Sequence, residues 1–272
     1  MFSIDKDTNV CISISSRPSN FGTTIHNAAY RALGLNFIYK AFGVSDIVGA
    51  MAGVRALGIR GCSVSMPFKE KVIEYLDNLD ETANAVGAVN TIVNENGYLK
   101  GYNTDVFGAK VALKSLEIGN DEKILVLGAG GAAKAIIFAL GRLGLKQIFI
   151  SNRTRSKLEY LHNNSFEVVP WSDLGLIEAD ILINATSVGM QPNIEEMPVD
   201  IDTVKKFRAV MDVVLSPWES KLISEVKKMN KLFVPGYKMS LHQAAAQFEL
   251  YTGESAPLDV MENAMLKLLG IK

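Results

Sequence analysis

Short apolar segments alternate with longer stretches of helical periodicity along the chain, the pattern of parallel strands joined by crossover helices. In the first hundred residues strands are expected at Val10-Ile14, Phe37-Ala41 and Gly61-Val64, with helices near Thr24-Leu33, Ile47-Leu57 and Lys69-Tyr75. Thr91-Ile92-Val93 and Tyr98-Leu99-Lys100 flank Asn94-Glu95-Asn96-Gly97, where Asn-Gly tolerates the positive φ of a hairpin turn. A helix over Asp105-Leu116 and a break at Gly119-Asn120-Asp121 follow.

From Lys123 the alternation is more regular. Ile124-Leu127 is a buried strand, a glycine-rich turn follows, Ala133-Leu143 is a helix and Gln147-Ser151 the next strand. Further strands at Asp180-Asn184, Val210-Val214 and Leu232-Val234 are enough for a doubly wound sheet, and helices at Leu241-Tyr251 and Leu258-Leu269 finish the chain. The class is α/β. The domain change is placed at the 105–116 helix, with residues 1–104 as a first α/β domain and 105–240 as the second.

At 272 residues the chain has room for two modest domains. Lys plus Arg number 28 against 29 Asp plus Glu, without a long run of either sign, so no broad surface for nucleic acid is expected. No uncharged run reaches the roughly 18 residues of a membrane helix, and no signal-peptide pattern opens the chain, which makes cytoplasmic residence the default. Cys11 and Cys62 fit reduced core thiols better than a disulfide, and the histidines at 26, 162 and 242 show no metal-ligand spacing. Monomer and homodimer stay equally open.

Gly128-Ala129-Gly130-Gly131-Ala132-Ala133 has the G-x-G-x-x-G/A form between a strand and a helix. There the first glycine permits the tight turn, the second lets a pyrophosphate approach, and the helix N-terminus offers N–H groups to phosphate. Such a cluster also serves as a plain tight turn. The next strand shifts the balance: it ends Ser151-Asn152-Arg153-Thr154-Arg155 with Lys157 close behind, where an NAD site usually carries an acid. Arg153 and Arg155 suit the 2′-phosphate of NADP, and cations at a helix start otherwise oppose its dipole.

With no histidine site in view, the proton of a hydride transfer falls to Lys, Asp, Glu or Tyr. Ser63-Val64-Ser65-Met66-Pro67-Phe68-Lys69-Glu70 puts Lys69 in the first turn of an expected helix, where the dipole disfavours a cation, so use is the better explanation. Asp105, after Gly101-Tyr102-Asn103-Thr104, taken alone fits an ordinary first-turn acid. Side by side, the two stabilise each other's charged forms.

The chain resembles the shikimate dehydrogenase family through motifs in order along nearly its whole length: Ile25-His26-Asn27, Val64 to Lys69, Gly87-Ala88-Val89-Asn90-Thr91, Asn103-Thr104-Asp105, the Gly128 loop, Asn152-Arg153-Thr154, Asn184-Ala185-Thr186-Ser187 and Gln243-Ala244-Ala245. The resemblance implies an N-terminal substrate domain to which the C-terminal helical segment 241–272 returns, an NADP-binding Rossmann domain, and a cleft between them. It implies reversible oxidation of shikimate to 3-dehydroshikimate, with Lys69 and Asp105 as the catalytic pair and Ser65, Asn90 and Gln243 on the ring hydroxyls. It also implies that Asn152, Arg153 and Thr154 hold the adenosine phosphate, while Thr186, Ser187, Gly236 and Met239 line the remaining cofactor path.

The departures lie on the substrate side. The family's Ser-x-Ser-Pro run, whose hydroxyls bind the shikimate carboxylate, falls here on Asn20, Gly22 and Thr23. One hydroxyl becomes an amide and the other is absent, a loss of roughly ten- to a hundredfold in binding per bond to a charged group. Ser15, Ser16, Arg17 and Thr23 lie near enough in sequence to compensate. Leu215 replaces a substrate-facing Tyr, and Tyr237-Lys238 replaces Leu-Gly. The expectation is a shikimate dehydrogenase-like enzyme with weak shikimate activity and room for another physiological substrate. A quinate or quinate/shikimate dehydrogenase and a non-catalytic NADP-binding sensor are the alternatives.

Overall fold

The computed structural model describes residues 4–161 and 166–271; His162 lies outside them. The chain forms two compact units, Met1–Phe107 with Leu241–Lys272, and Gly108–Ser240.

The first unit contains β1 (Asn9–Ser15), α1 (Phe21–Ala32), β2 (Phe37–Gly43), α2 (Ile47–Ala56), β3 (Gly61–Val64), β4 (Asn78–Leu79), α3 (Glu81–Val86), β5 (Thr91–Glu95) and β6 (Tyr98–Tyr102). Its sheet has the order β2-β1-β3-β5-β6-β4. β1 runs parallel to β2 and β3, whereas β5 is antiparallel to β3 and β6. The expected hairpin forms on Asn96 and Gly97, at φ 54° and 89°, the paired positive values that match the twist of the strands. One sheet face is an apolar core of Ile12, Ile14, Met51, Cys62, Val64, Phe68, Ile92 and Leu99. The other carries Cys11, Ser13, Tyr39 and Ser63, as the twofold alternation of strand side chains requires.

α4 (Asp105–Lys114) carries the chain into the second unit. This unit contains β7 (Ile124–Leu127), α5 (Gly131–Arg142), β8 (Ile148–Ser151), β9 (Glu167–Val168), β10 (Ile181–Asn184), α6 (Ile201–Val204), β11 (Ala209–Asp212), α7 (Lys221–Lys228) and β12 (Leu232–Val234). α8 (Gly236–Thr252) returns the chain to the first unit, and α9 (Leu258–Leu269) ends it. Both crossings between units therefore lie inside helices. The second sheet is parallel throughout, in the order β12-β11-β10-β7-β8-β9, a Rossmann-type arrangement. All four residues of β7 are 0% exposed, which explains its unbroken apolar run.

Several boundaries differ from expectation. α1 starts at Phe21 and so takes in Gly22, α5 starts at Gly131, and α8 starts at Gly236, five residues early. The helix expected over Lys69-Tyr75 is a 3-10 turn over Lys71–Tyr75, which leaves Lys69 in the preceding turn. α3, α6 and α7 were not anticipated, although each has a capping signature: Asp80, Asp200 and Ser220 accept from the N–H three residues on. Cys11 and Cys62 are free and buried, and burial pushes the Cys11 thiol up to about 12.

Candidate active site and cofactor loop

Lys69 follows the β3 strand through a turn whose Phe68 side chain is sunk in the core, and its carbonyl accepts Val89 N–H at 2.7 Å. Asp105 is the first residue of α4. The two meet: Lys69 Nζ donates to Asp105 Oδ2 at 2.5 Å, with side-chain exposures of 20% and 9%. Since Lys69 precedes the 3-10 turn, an opposed helix dipole does not explain it. A partly buried carboxylate does, because a charge-assisted hydrogen bond compensates the cost of removing both charges from water.

The other Asp105 oxygen accepts from Asn90 Nδ2 at 2.9 Å. Asn90 is 2% exposed and fully engaged: Nδ2 also donates to Thr104 Oγ1 at 3.0 Å and Gln243 Oε1 at 3.1 Å, while Oδ1 accepts from Thr91 Oγ1 and Thr104 N–H, each at 2.8 Å. Gln247, one helical turn beyond Gln243, donates through Nε2 to Ser63 Oγ at 3.1 Å and Thr91 Oγ1 at 2.9 Å. Thr91 and Thr104 stand inside the motifs that carry the resemblance but have no role assigned from sequence, and Gln247 is not singled out there at all; its signal is the i,i+4 spacing from Gln243. Ser65 is exposed at the end of β3. Asn20 is exposed just before α1 and makes no side-chain cap bond, and Gly22 lies in the first turn.

In the second unit Gly128 has φ 122°, and a Cβ there would stand 2.7 Å from Ala185 O. Only glycine fits both conditions. The contact joins the ends of β7 and β10, where the strand order reverses, the place at which open parallel sheets bind ligands. A Cβ on Gly130 would meet nothing, so the backbone before α5 is open to a close-approaching phosphate. Gly131 and Ala132 open α5, and Ala129 is buried. Beyond the neighbouring β8, Arg153, Thr154, Arg155 and Lys157 are exposed, and Asn152 Nδ2 donates to Thr154 O at 2.8 Å.

The end of β10 is held by a buried network. Asn184 Nδ2 donates to Asp212 Oδ1 at 2.9 Å, and Asn184 Oδ1 accepts Thr186 Oγ1 at 2.6 Å. Asp212 also accepts Ser220 Oγ at 2.5 Å and Val214 N–H at 3.0 Å. Burial pushes its carboxyl up to about 6 despite these bonds. Thr186 is half-buried and Ser187 exposed beside it. A Cβ on Gly236 would stand 2.5 Å from Val214 O, while Met239 is buried one turn further along α8. Leu215 is half-buried, and Tyr237 lies edge-on to Trp218 at 6.5 Å with Lys238 Nζ 5.3 Å from its own ring centre.

A Rossmann-type sheet with a glycine turn at its reversal point, and a unit bearing a Lys–Asp pair in a saturated amide–hydroxyl network, define an α/β oxidoreductase. The comparisons narrow the class. Residues 19–92 match the shikimate dehydrogenase substrate binding domain, 110–215 the shikimate/quinate 5-dehydrogenase domain and 236–266 the shikimate 5′-dehydrogenase C-terminal domain. A shikimate dehydrogenase-like protein of Haemophilus influenzae is 44% identical over 253 residues, covering 92% of each chain. The shikimate dehydrogenase (NADP(+)) of Methanocaldococcus jannaschii is 40% identical over 91% of this chain and 92% of its own. The shikimate 5-dehydrogenase of Thermus thermophilus, solved with NADP(H) and shikimate, matches with a TM-score of 0.84 at 30% identity, covering 95% of this chain and 99% of that one. The chain belongs to the shikimate/quinate dehydrogenase family.

Proposed function

We propose that the protein catalyses the reversible, NADP-dependent oxidation of shikimate to 3-dehydroshikimate, with low efficiency on shikimate and capacity for another cyclic hydroxy acid. The Lys69–Asp105 contact at 2.5 Å carries the proposal, since a nucleotide-binding protein without proton chemistry needs no such pair.

NADP, when bound, accepts the hydride released as the carbon–hydrogen bond of the alcohol breaks. The Gly128 turn suits its pyrophosphate, the exposed Arg153 and Arg155, with Asn152, Thr154 and Lys157, suit the 2′-phosphate, and Thr186, Ser187, Gly236 and Met239 line the remainder. The protein's own chemistry is to take the hydroxyl proton. With one Lys69 N–H committed to Asp105, the remaining ammonium hydrogens are available to orient the substrate oxygen. The hydroxyl proton passes to Lys69 as Lys69 gives the hydrogen it shares with Asp105 to that carboxylate, so the pair gains one proton in all. Asn90 fixes Asp105 and reaches a substrate hydroxyl itself only by exchanging one of its present bonds, whereas Ser65 and Gln243 approach the ring directly.

The first unit, Met1–Phe107 with Leu241–Lys272, serves the substrate, and the second, Gly108–Ser240, serves the cofactor. The place of action is the cytoplasm, where thiols such as Cys11 and Cys62 stay reduced. The test is initial-rate NADPH formation by the purified protein with shikimate, quinate and related cyclic hydroxy acids, each with NADP and with NAD. Turnover of shikimate with NADP, slow relative to typical family members, is the expected result. Faster turnover of quinate with NAD points to the quinate alternative, and no turnover of any acid overturns the enzyme reading.

A further inference from the structure

Asn184 and Asp212 end β10 and β11 as partners in register, and both are 0% exposed. A carboxylate removed from water is costly unless donors surround it. Asp212 has three: Oδ1 accepts Asn184 Nδ2 at 2.9 Å and Val214 N–H at 3.0 Å, and Oδ2 accepts the hydroxyl of the buried Ser220 at 2.5 Å.

This carboxylate decides which way the Asn184 amide faces. An ionised carboxylate only accepts, whereas an amide presents oxygen on one side and nitrogen on the other. Asn184 therefore turns Nδ2 to Asp212 and Oδ1 to the turn that follows β10. There Oδ1 accepts Thr186 N–H at 3.1 Å and Thr186 Oγ1 at 2.6 Å. Thr186 Oγ1 in turn accepts Val188 N–H at 3.1 Å, so its hydroxyl is spent within the turn. A reversed amide would set nitrogen against Thr186 N–H, donor against donor, and release it.

The same carboxylate oxygen reaches a second segment. Val213 N–H donates to Asn184 O at 3.0 Å, and Val214 N–H to Asp212 itself. Gly236, the first residue of α8, lies against these two residues: a Cβ there would stand 2.5 Å from Val214 O and 2.6 Å from Val213 O. Ser220 also accepts Ile223 N–H at 3.2 Å and so caps α7. Asp212 thus ties the chain after β10 to the chain after β11, on which the start of α8 rests. In a doubly wound sheet β7 and β8 serve one mononucleotide half, and the strands across the reversal point, β10 and β11, serve the other.

Resting on the NADP reading above, we propose that Asp212 is a positioning residue for the nicotinamide half of the cofactor. It touches no nucleotide; it fixes the Asn184 amide, and the amide fixes the backbone from Thr186 to Val188. The adenosine half, served by the residues after β8, does not depend on it.

The test measures, by calorimetry, binding of NADPH and of adenosine 2′,5′-bisphosphate, which carries the adenosine end alone. The proteins are the full-length parent, Asp212→Ala, Asp212→Asn, Thr186→Val and the double variant Asp212→Ala/Thr186→Val. Asp212→Ala is expected to weaken NADPH about tenfold, because affinity falls with the fraction of molecules whose turn is formed, and to leave the bisphosphate within about twofold of the parent. Asp212→Asn keeps Oδ1 for Asn184 and Val214 and offers Nδ2 to Ser220 Oγ, so NADPH binds within about threefold of the parent. The losses in Asp212→Ala and Thr186→Val do not add in the double variant, because both release one turn.

Parent-like NADPH affinity in Asp212→Ala overturns the proposal. So does an equal loss for both ligands, which marks general loosening of the second unit, and so do losses that add in the double variant. A loss in Asp212→Asn equal to that in Asp212→Ala overturns it too, since the acceptor oxygen is retained there. If Asp212→Ala does not fold, Thr186→Val decides: a loss confined to NADPH supports the proposal, and any other result overturns it. A parent that binds neither ligand removes the NADP reading and this proposal together. A parent that binds both, with Asp212→Ala unchanged, removes this proposal alone.

Discussion

Lys69 and Asp105, 36 residues apart in sequence, form an ion pair at 2.5 Å in which the lysine is the more exposed partner. The carboxylate is anchored by Asn90, so the lysine is the member free to face a substrate. Lys69→Ala is expected to lower kcat by about a hundred- to ten-thousandfold, the usual contribution of a positioned acid–base group. NADPH affinity, followed by fluorescence titration, is expected to change less than about twofold. Retention of turnover in Lys69→Ala would falsify the assignment.

Cofactor choice is expected to follow the two exposed arginines after β8. Replacing Arg153 and Arg155 together with serine removes charge-assisted bonds available only to a 2′-phosphate. KM for NADP is expected to rise roughly tenfold or more, with KM for NAD nearly unmoved. An equal rise for both nucleotides, measured on the same preparation, shows that these side chains do not discriminate.

Gly128→Ala combines two penalties, a left-handed φ of 122° and a Cβ 2.7 Å from a backbone oxygen that cannot swing away. The conformational part alone is on the order of 1–3 kcal/mol. A lower thermal midpoint and weaker NADP binding are expected together; unchanged values of both count against a tight turn at this position.

Stability is expected to depend on pH with opposite signs in the two units. Burial lowers His26 to about 3 from 6.5 and outweighs the opposing influence of Gln247. The folded first unit therefore rejects a proton that the unfolded chain accepts, and the contribution present above pH 6.5 is lost as pH falls towards 3, at up to about 1.4 kcal/mol per unit. Asp212 goes the other way: raised from 3.8 to about 6, its contribution is complete below pH 3.8 and is lost as pH rises through 6. Tryptophan fluorescence separates the two, since Trp171 and Trp218 both lie in the second unit. In urea titrations from pH 4 to 7, Asp212→Asn is expected to remove the fall with rising pH from the fluorescence midpoint. His26→Leu is expected to flatten the acid loss seen by circular dichroism. Unaltered pH profiles in both variants contradict the linkage.

Strands were legible wherever burial on both faces produced an apolar run, as in Ile124 to Leu127, or where Asn96-Gly97 dictated a turn. Helix starts were less so. α8 begins at Gly236, a poor helix former, and the residues from Lys71 to Tyr75 close only as 3-10 turns although their periodicity resembles a helix. Lys69 was found for a reason that fails, the dipole of a helix it does not enter, and was nonetheless beside Asp105 because the sheet brings β3 and the β6–α4 junction together. The roles of Thr91 and Thr104 are not legible even inside their motifs, and Gln247 shows only its spacing from Gln243: a hydroxyl or amide inside an element looks the same whether it faces water or a buried asparagine.

Because the chain leaves the first unit within α4 and re-enters it within α8, the two units are unequal in the order of synthesis. Residues 108–240 are contiguous and can complete their sheet once they have emerged. The first unit cannot: Tyr251 covers Gly61, Arg60 Nε donates to Tyr251 O at 2.9 Å, and Gln247 joins Ser63 to Thr91. Though translated first, it is the last to be finished, waiting through the whole of the inserted unit for its own closing helices.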